Sequence, residues 1–208
     1  GKDGVIMVQE GDALTDVLEL QSGMQYNDRG YLSRQFVTDQ QANTAELENP
    51  YILVVDKKIS SIQDIFKTFE NVVKQNRALF IIAEDVSSDA LALLVLNRLR
   101  GGAKVCAVKA PGFGENRKAM LEDIAAFTKA TVISEELGLT PENADIEHLG
   151  SAKRIIVTKD SFTIIDGAGD QTAVDTRVAM LRKEYERADS SYEKEKKQER
   201  LAKLSGGI

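Results

Sequence analysis

The sequence is poor in the residues from which metal centres and nucleophilic relays are built. It contains one cysteine, Cys106, and one histidine, His148, among 208 residues. A zinc site needs clustered Cys and His ligands, and a Ser-His-Asp relay would have to use His148, which lies in the turn-like stretch DIEHLG. The sequence therefore predicts neither a zinc centre nor histidine-based catalysis. Cys106, within KVCAVK, is predicted to be a small apolar residue on a buried strand, which favours a reducing compartment or is neutral.

Long apolar runs and an excess of basic residues are also missing. The formal net charge is -6, so no basic field is available to hold nucleic acid or an anionic membrane surface. The first residues, GKDGVIMVQEGD, are charged and do not resemble a signal peptide. With 42% hydrophobic and 29% charged residues, the composition is that of a soluble globular protein. We therefore expect neither a nucleic-acid nor a membrane partner.

Strand and helix patterns alternate from Tyr51 to Ser134. Short runs rich in β-branched residues predict strands at YILVVD, ALFIIAED, AKVCAVKA and TVIS. Helical periodicity separates them, over residues 60–76, from Ser87 to a stop at Gly101 and Gly102, and over residues 115–130. This alternation predicts an α/β fold in which crossover helices connect a parallel sheet.

The pattern changes after Ser134. Residues 153–166 contain two β-rich runs around Lys159 and Asp160, which predicts a hairpin. Residues 171–204 form a charged helical tail that we expect to divide into two helices near Asp189. The first 22 residues are predicted to be β-rich connecting structure. Two glycine-containing stretches, PGFGENRK and DGAGDQ, lack the spacing of a phosphate loop and of a calcium loop, so a plain connection is favoured for each.

The second helix carries more apolar residues than one buried face requires. At about 100° per residue, its leucines surround the helix axis, whereas a surface helix usually shows a single apolar stripe. We expect Ala90, Leu93 and Leu94 to anchor the helix, with Leu91, Val95 and Leu96 on the other side. The first helix has a similarly wide stripe that includes Phe66, Phe69 and Val73, for which a core role and a binding role are equally compatible with the periodicity. Two neighbouring helices with surplus apolar faces can form a groove for a peptide.

Several ordered segments resemble a known family. They are GMQY.DRGYLS (23–33), DKKIS (56–60), LFIIAEDV (79–86), LNRLRG (96–101), KAPGFGE.RKAML.DIA (109–125), TVISEELG (131–138), TIIDGAG (163–169) and EK..ERLAKLSGG (195–207). In this order and spacing, across nearly the whole chain, they resemble the apical domain of the group I chaperonins, the GroEL family. The resemblance implies a swivelling β/β/α fold with a parallel strand-helix core, a β-hairpin and C-terminal helices.

The resemblance also implies a function, with its site residues and partners. The domain would bind unfolded polypeptide clients and the mobile loop of a co-chaperonin lid, within a homo-oligomeric ring that uses ATP and Mg²⁺. The positions that match the family's binding residues are Tyr31, Phe36, Phe66, Phe69, Glu70, Val73, Leu91, Val95, Leu96, Asn97 and Arg100. The family's nucleotide site lies outside the matched segments, so we expect no enzymatic activity, cofactor or metal in this chain alone. The isolated chain is expected to be monomeric.

Domain limits and location follow from the same resemblance. Residues 1–22 would connect to an intermediate domain, residues 23–205 would form the apical domain, and residues 206–208 would be the remnant of a hinge. Gly23, Gly206 and Gly207 match the family's hinge, where glycine tolerates large changes in φ and ψ. The expected compartment is the cytoplasm in a bacterium, or the mitochondrial matrix or plastid stroma in an organelle.

The chain departs from the family's pattern at the binding loop. Asn27 is an extra residue, and Arg34 and Gln35 replace a proline and an aromatic residue, which weakens the loop's expected apolar contribution. Phe66 and Phe69 stand where aliphatic residues are common, so aromatic area could compensate.

Two alternatives stay open from the residues alone. An α/β enzyme or small-molecule-binding domain would place its site at the carboxyl ends of the strands, near Glu84, Asp85 and Lys109. The competing interpretation of those charges, a cluster of salt bridges, is favoured. A scaffold that assembles through the charged tail is a weaker possibility.

Overall fold

The structure of the chain, a computed structural model, describes residues 7–8 and 20–206, and side chains from residue 22 onward. The strands are β1 (Met7–Val8), β2 (Leu20–Gln21), β3 (Gly23–Tyr26), β4 (Ala45–Glu48), β5 (Tyr51–Ile59), β6 (Leu79–Val86), β7 (Val105–Lys109), β8 (Gly150–Val157) and β9 (Phe162–Gly167). The helices are α1 (Gln63–Lys74), α2 (Ser88–Gly101), α3 (Gly114–Thr128), α4 (Gln171–Arg187) and α5 (Ser191–Leu204). Short 3-10 turns lie at Arg34–Phe36, Glu135–Leu137, Pro141–Asn143 and Ile146–His148.

The main sheet is mixed. Its strands follow the order β3-β9-β8-β5-β6-β7, and β4 pairs with the end of β8 that β5 leaves free. Strands β5, β6 and β7 are parallel, whereas the pairs made by β3, β4, β8 and β9 are antiparallel. The predicted α/β class is confirmed. The prediction of a parallel sheet holds for the β5-β6-β7 part.

One predicted strand was wrong. Residues 131–134, TVIS, make only a single parallel bridge, between Ile133 and Val55. Two backbone hydrogen bonds fix this bridge, from Ile133 N to Val54 O and from Asp56 N to Ile133 O, both 2.9 Å. The chain then turns at Ser134 into the 3-10 turn Glu135–Leu137, so the pairing cannot extend into a strand.

The connections place α1 and α2 on the same face of the sheet. The path β5-α1-β6-α2-β7 crosses the parallel strands in one direction, and right-handed crossovers in one direction put both helices on one face. Helix α3 connects β7 to Ile133, which pairs with β5, so this connection crosses the sheet in the opposite direction. A right-handed crossover in that direction places α3 on the other face of the sheet. The strands between these layers are apolar and fully buried, as in Ile52–Val55 and Phe80–Ala83, with 0% exposure.

The C-terminal part confirms two predictions. Strands β8 and β9 form an antiparallel hairpin that turns at Lys159 and Asp160. The charged tail divides into α4 and α5 at Ala188–Ser190, and both helices contact α3. Their buried apolar residues are Val174, Val178, Leu181, Leu201 and Leu204. None of the helices in the described part of the chain is both long enough and apolar enough to cross a lipid bilayer.

Of the predicted connecting segment 1–22, strands β1 and β2 pair antiparallel, and Ser22 lies just before β3. Residues 1–6 and 9–19 lie outside the described residues, as does Gly207.

Candidate functional site

Helix α1 divides its wide apolar stripe between the core and the surface. Ile65 and Val72 are 0% exposed and face the sheet, whereas Ile62 is 37%, Phe66 49% and Val73 43% exposed. The three exposed side chains lie within about 40° of one another around the helix, since each residue turns it by about 100°. Helix α1 therefore presents a continuous apolar strip to solvent.

Phe69 does not belong to that strip. It was predicted to bind peptide together with Phe66 and Val73, but only 5% of its surface is exposed. Phe69 lies about 60° from Phe66 around the helix, which is enough to turn its ring into the core. The prediction is corrected: Phe69 packs with the core, and Ile62, which the predicted set omitted, takes a place on the surface.

Helix α2 is anchored by fewer residues than predicted. Ala90 and Leu94 are 0% exposed and hold the helix on the sheet. Leu93, the third expected anchor, is only half-buried, as are Leu91 and Val95 on the other flank. Leu96 is 45% and Leu99 59% exposed. These two leucines form the outward part of α2.

Helix geometry puts the exposed strips of α1 and α2 on the sides of the two helices that face each other. On α1, Thr68 is buried under the turn Pro141–Asn143 and donates to the carbonyl of Ala144 at 3.3 Å, so that flank is covered. Phe66, two residues away, lies about 200° around the helix and so faces the other way, toward α2. The helix starts also lie near each other, since the pKa of the Asp89 carboxyl group is lowered chiefly by the Ser87 hydroxyl and, to a smaller extent, by the backbone N–H of Ile62.

The two flanks of α2 face different neighbours. Arg98 donates from Nη2 to the carbonyl of Val37 at 3.1 Å, and the turn Arg34–Phe36 packs on the same flank. Leu96, two residues from Arg98, lies about 200° away and therefore faces α1. We call the surface formed by Ile62, Phe66, Val73, Leu96 and Leu99 the apolar face.

Leu91 and Val95 lie within about 20° and 60° of Arg98, on the flank beside the turn. The expectation that Leu91 and Val95 share one side of α2 with Leu96 is therefore corrected. Leu91, Val95 and the turn Arg34–Phe36 that adjoins them are called the turn flank.

The loop before β4 contributes less than predicted. Phe36, expected to bind peptide, is 0% exposed and fills the core beneath α2. Tyr31 is half-buried, its backbone bridges Val108 of β7, and its hydroxyl donates to the carbonyl of Asn43 at 3.4 Å. Arg34 and Gln35 are exposed. The correction for Phe36 has a simple cause: the Ser33 hydroxyl caps the 3-10 turn by accepting from Gln35 N at 3.1 Å, and the turn points Phe36 inward.

Polar groups border the apolar face. Glu70 is exposed and pairs with Lys74 at 3.3 Å. The side-chain amide of Asn97 donates to the carbonyl of Leu93 at 2.8 Å within its own helix, and Arg100 is exposed at the end of α2. At the start of α2, the Ser87 hydroxyl donates to Asp89 at 2.5 Å and lowers the pKa of that carboxyl group. The border thus contains positive and negative side chains together with the side-chain amide of Asn97.

The carboxyl ends of the parallel strands form a second candidate site. An open depression of about 390 Å³ lies there, and charged side chains from β5, β6, α3 and the turn Glu135–Leu137 line it. These charges pair with one another: Arg117 lies 3.4 Å from both Asp56 and Glu84, and Lys109 lies 3.8 Å from Asp85. Ion pairing thus accounts for the charges on which a small-molecule site would depend.

His148 belongs to a turn. Its Nδ1 accepts a hydrogen bond from the backbone N–H of Asp145 at 3.0 Å, which closes the 3-10 turn Ile146–His148. Asp145, Glu147 and His148 bring possible metal ligands within 4.8 Å of one another, but the cap accounts for this proximity.

The described hinge glycines lie near each other. Gly23 is in β3, opposite Ile165, and Gly206 follows α5. Both line a cavity of about 410 Å³ that also contacts α4, so the two ends of the described domain meet there. Gly206 has a φ of 107°, a backbone conformation that side-chain-bearing residues rarely adopt.

Compared with models of known protein families, the chain matches none. What the fold and the site define is a class, a mixed α/β domain whose two adjacent helices expose large apolar side chains.

Proposed function

We propose that this chain is a polypeptide-binding domain of the chaperone type, which holds apolar segments of non-native proteins on the apolar face. One observation carries the proposal. Five large apolar side chains, 37–59% exposed, lie on two neighbouring helices, although other residues of the same helices, such as Ile65 and Leu94, already fill the core. Such surfaces on soluble domains commonly mark interaction sites.

The occupant we infer is a flexible segment with exposed aliphatic or aromatic side chains. Folded proteins have already buried such side chains, so the face discriminates by the state of its partner and not by sequence. The border groups Arg100 and Glu70 can bond polar atoms of a peptide in either chain direction. Tyr31, Leu91, Val95 and Asn97 extend the site at its edges.

The expected affinity is modest. Full burial of a large apolar side chain contributes about 1.5–3 kcal/mol, so three half-exposed anchors contribute about 2–5 kcal/mol. Ordering the peptide and losing its free motion offset much of this. A homo-oligomeric ring would compensate, because several copies raise the effective concentration for a second contact.

The resemblance to group I chaperonins supports the wider setting of this proposal. In that setting the same face would receive the mobile loop of a co-chaperonin, in competition with the client. ATP and Mg²⁺ would act in another domain of the ring, in the cytoplasm, the mitochondrial matrix or the plastid stroma.

The test compares two exposed leucines that lie on different surfaces. A fluorescent peptide with apolar side chains should bind saturably to the wild-type chain in an anisotropy titration. Leu96→Ser, at 45% exposure on the apolar face, should weaken binding about tenfold with little change in the melting temperature. Leu137→Ser, at 58% exposure in the turn Glu135–Leu137, should leave the affinity unchanged. Equal effects of the two substitutions, or no saturable binding, would refute the proposal.

A further inference from the structure

Arg98 lies outside the apolar face but joins α2 to a neighbouring segment. Its guanidinium Nη2 donates to the carbonyl of Val37 at 3.1 Å, and Val37 itself is 3% exposed. Within residues 22–206, the bond from Arg98 is the single hydrogen bond that joins a side chain of α2 to residues 31–37. The apolar stem of Arg98 is half-buried along the same flank.

The segment that Arg98 holds is fixed at its two ends. At one end, the backbone N–H of Leu32 donates to the carbonyl of Ala107 in β7 at 2.9 Å. At the other end, Phe36 and Val37 are buried. Between them, Arg34 and Gln35 are exposed, and three hydrogen bonds of 3.1 Å order the turn locally: Gln35 N donates to the Ser33 hydroxyl, Phe36 N to the Ser33 carbonyl and Val37 N to the Arg34 carbonyl. Arg98 therefore adds a hydrogen bond from α2 to a turn that the buried Phe36 also anchors.

We infer that Arg98 is a positioning residue for peptide binding: it holds the turn Arg34–Phe36 at a set distance from Leu91 and Val95, so that these two side chains form a second apolar contact for a client. The inference rests on the proposed function. Leu91 and Val95 are half-buried and lie on the Arg98 flank of α2, about 140° and 100° around the helix from Leu96. A client segment that crosses α2 would then touch both flanks.

A more mobile turn would weaken binding because the client would have to order it, and not because any contact with the client is lost. If the Arg98 bond is removed, the carbonyl of Val37 loses its partner and the turn samples open states more often. A client must then order the turn before it can use Leu91 and Val95, and that cost reduces affinity. Contacts on the α1 side, at Leu96, should be unaffected.

The experiment uses Arg98→Met, which keeps the apolar stem and removes the donors, and Arg98→Lys, which keeps the charge and one donor group. Hydrogen exchange should show amides 33–37 of Arg98→Met opening about tenfold more often, with partial recovery in Arg98→Lys. The peptide dissociation constant of Arg98→Met should rise about three- to tenfold, with the melting temperature nearly unchanged.

A double-mutant cycle identifies the flank that Arg98 serves. Arg98→Met should have little further effect in a Val95→Ser background and its full effect in a Leu96→Ser background. Equal effects in both backgrounds, unchanged exchange in residues 33–37, or faster exchange with unchanged affinity would each overturn the inference. So would restored affinity in Arg98→Lys without restored protection, since charge alone would then explain the effect.

Failure of the proposed function would look different. In that case the wild-type chain would not bind the peptide at all, and exchange in residues 33–37 would still respond to Arg98→Met. Failure of the inference alone leaves wild-type binding intact and sensitive to Leu96→Ser.

Discussion

Asp123 offers the strongest test of what holds the C-terminal helices in place. Its side chain is 1% exposed and accepts from two arginines on different helices. Arg177 Nε of α4 lies 2.5 Å away, and Arg200 of α5 donates from Nε at 2.8 Å and from Nη2 at 2.9 Å. A single carboxylate in α3 thus connects three helices.

Asp123→Ala would leave two guanidinium groups without their acceptor. Arg200 is 4% exposed, so its charge cannot reach water without moving α5. Burial works to lower the pKa of Arg200, but the hydrogen bond and charge of Asp123 outweigh it and the pKa is raised. Removing one partner of such a buried pair costs about 3–5 kcal/mol. This cost is a large part of the free energy of unfolding of a typical domain, which is about 5–15 kcal/mol. For a chain of this size, it corresponds to a melting temperature about 6–20 °C lower.

Differential scanning calorimetry of four proteins separates this mechanism from a general loss of charge. Glu199→Gln is the matched control, because Glu199 precedes Arg200 but forms an exposed pair with Lys196 at 3.7 Å. It should change stability by less than about 1 kcal/mol. The triple change Asp123→Leu, Arg177→Met and Arg200→Met removes all three charges and should recover most of the loss. A melting temperature of Asp123→Ala within about 2 °C of the wild type, or a triple variant no better than the single one, would refute this reasoning.

Three further outcomes follow from individual residues. Lys129 ends α3 with a φ of 68°, so Lys129→Gly should raise stability by about 0.5–1 kcal/mol in urea unfolding, whereas Lys129→Ala should not. Cys106 is fully buried and burial raises the pKa of its thiol, so a thiol reagent should modify it only at the rate of unfolding; fast labelling of the native protein would contradict this. The pKa of Asp89 is lowered from 3.8, chiefly by Ser87, so its contribution to stability is complete above that value and is lost as the pH falls through the lower folded pKa. In an NMR titration, Ser87→Ala should therefore raise the Asp89 pKa toward 3.8, and an unchanged pKa would exclude the hydroxyl as its cause.

Local sequence determined the helices and strands between Tyr51 and Leu204, except at residues 131–134, where the predicted strand did not form. The limits of α2 follow from Ser87, whose hydroxyl accepts from Ala90 N at 3.4 Å, and from Gly102, which ends the helix with a φ of 68°. The hairpin and the break between α4 and α5 are likewise encoded by residues next to each other in the chain. Such signals act over one or two helical turns, which is why they can be interpreted without a structure.

Tertiary structure decided which apolar residues are available to a partner. Periodicity gave α1 and α2 more apolar surface than one core face requires, but it could not say which part would be covered. The covering elements come from distant parts of the chain: the turn Pro141–Asn143 beside Thr68, and the turn Arg34–Phe36 beside α2. Their packing left Phe66 in solvent, buried Phe69, and separated Leu91 from Leu96. Burial is a property of the assembled neighbours of a side chain, so the sequence determined the apolar surplus and the fold determined where it faces.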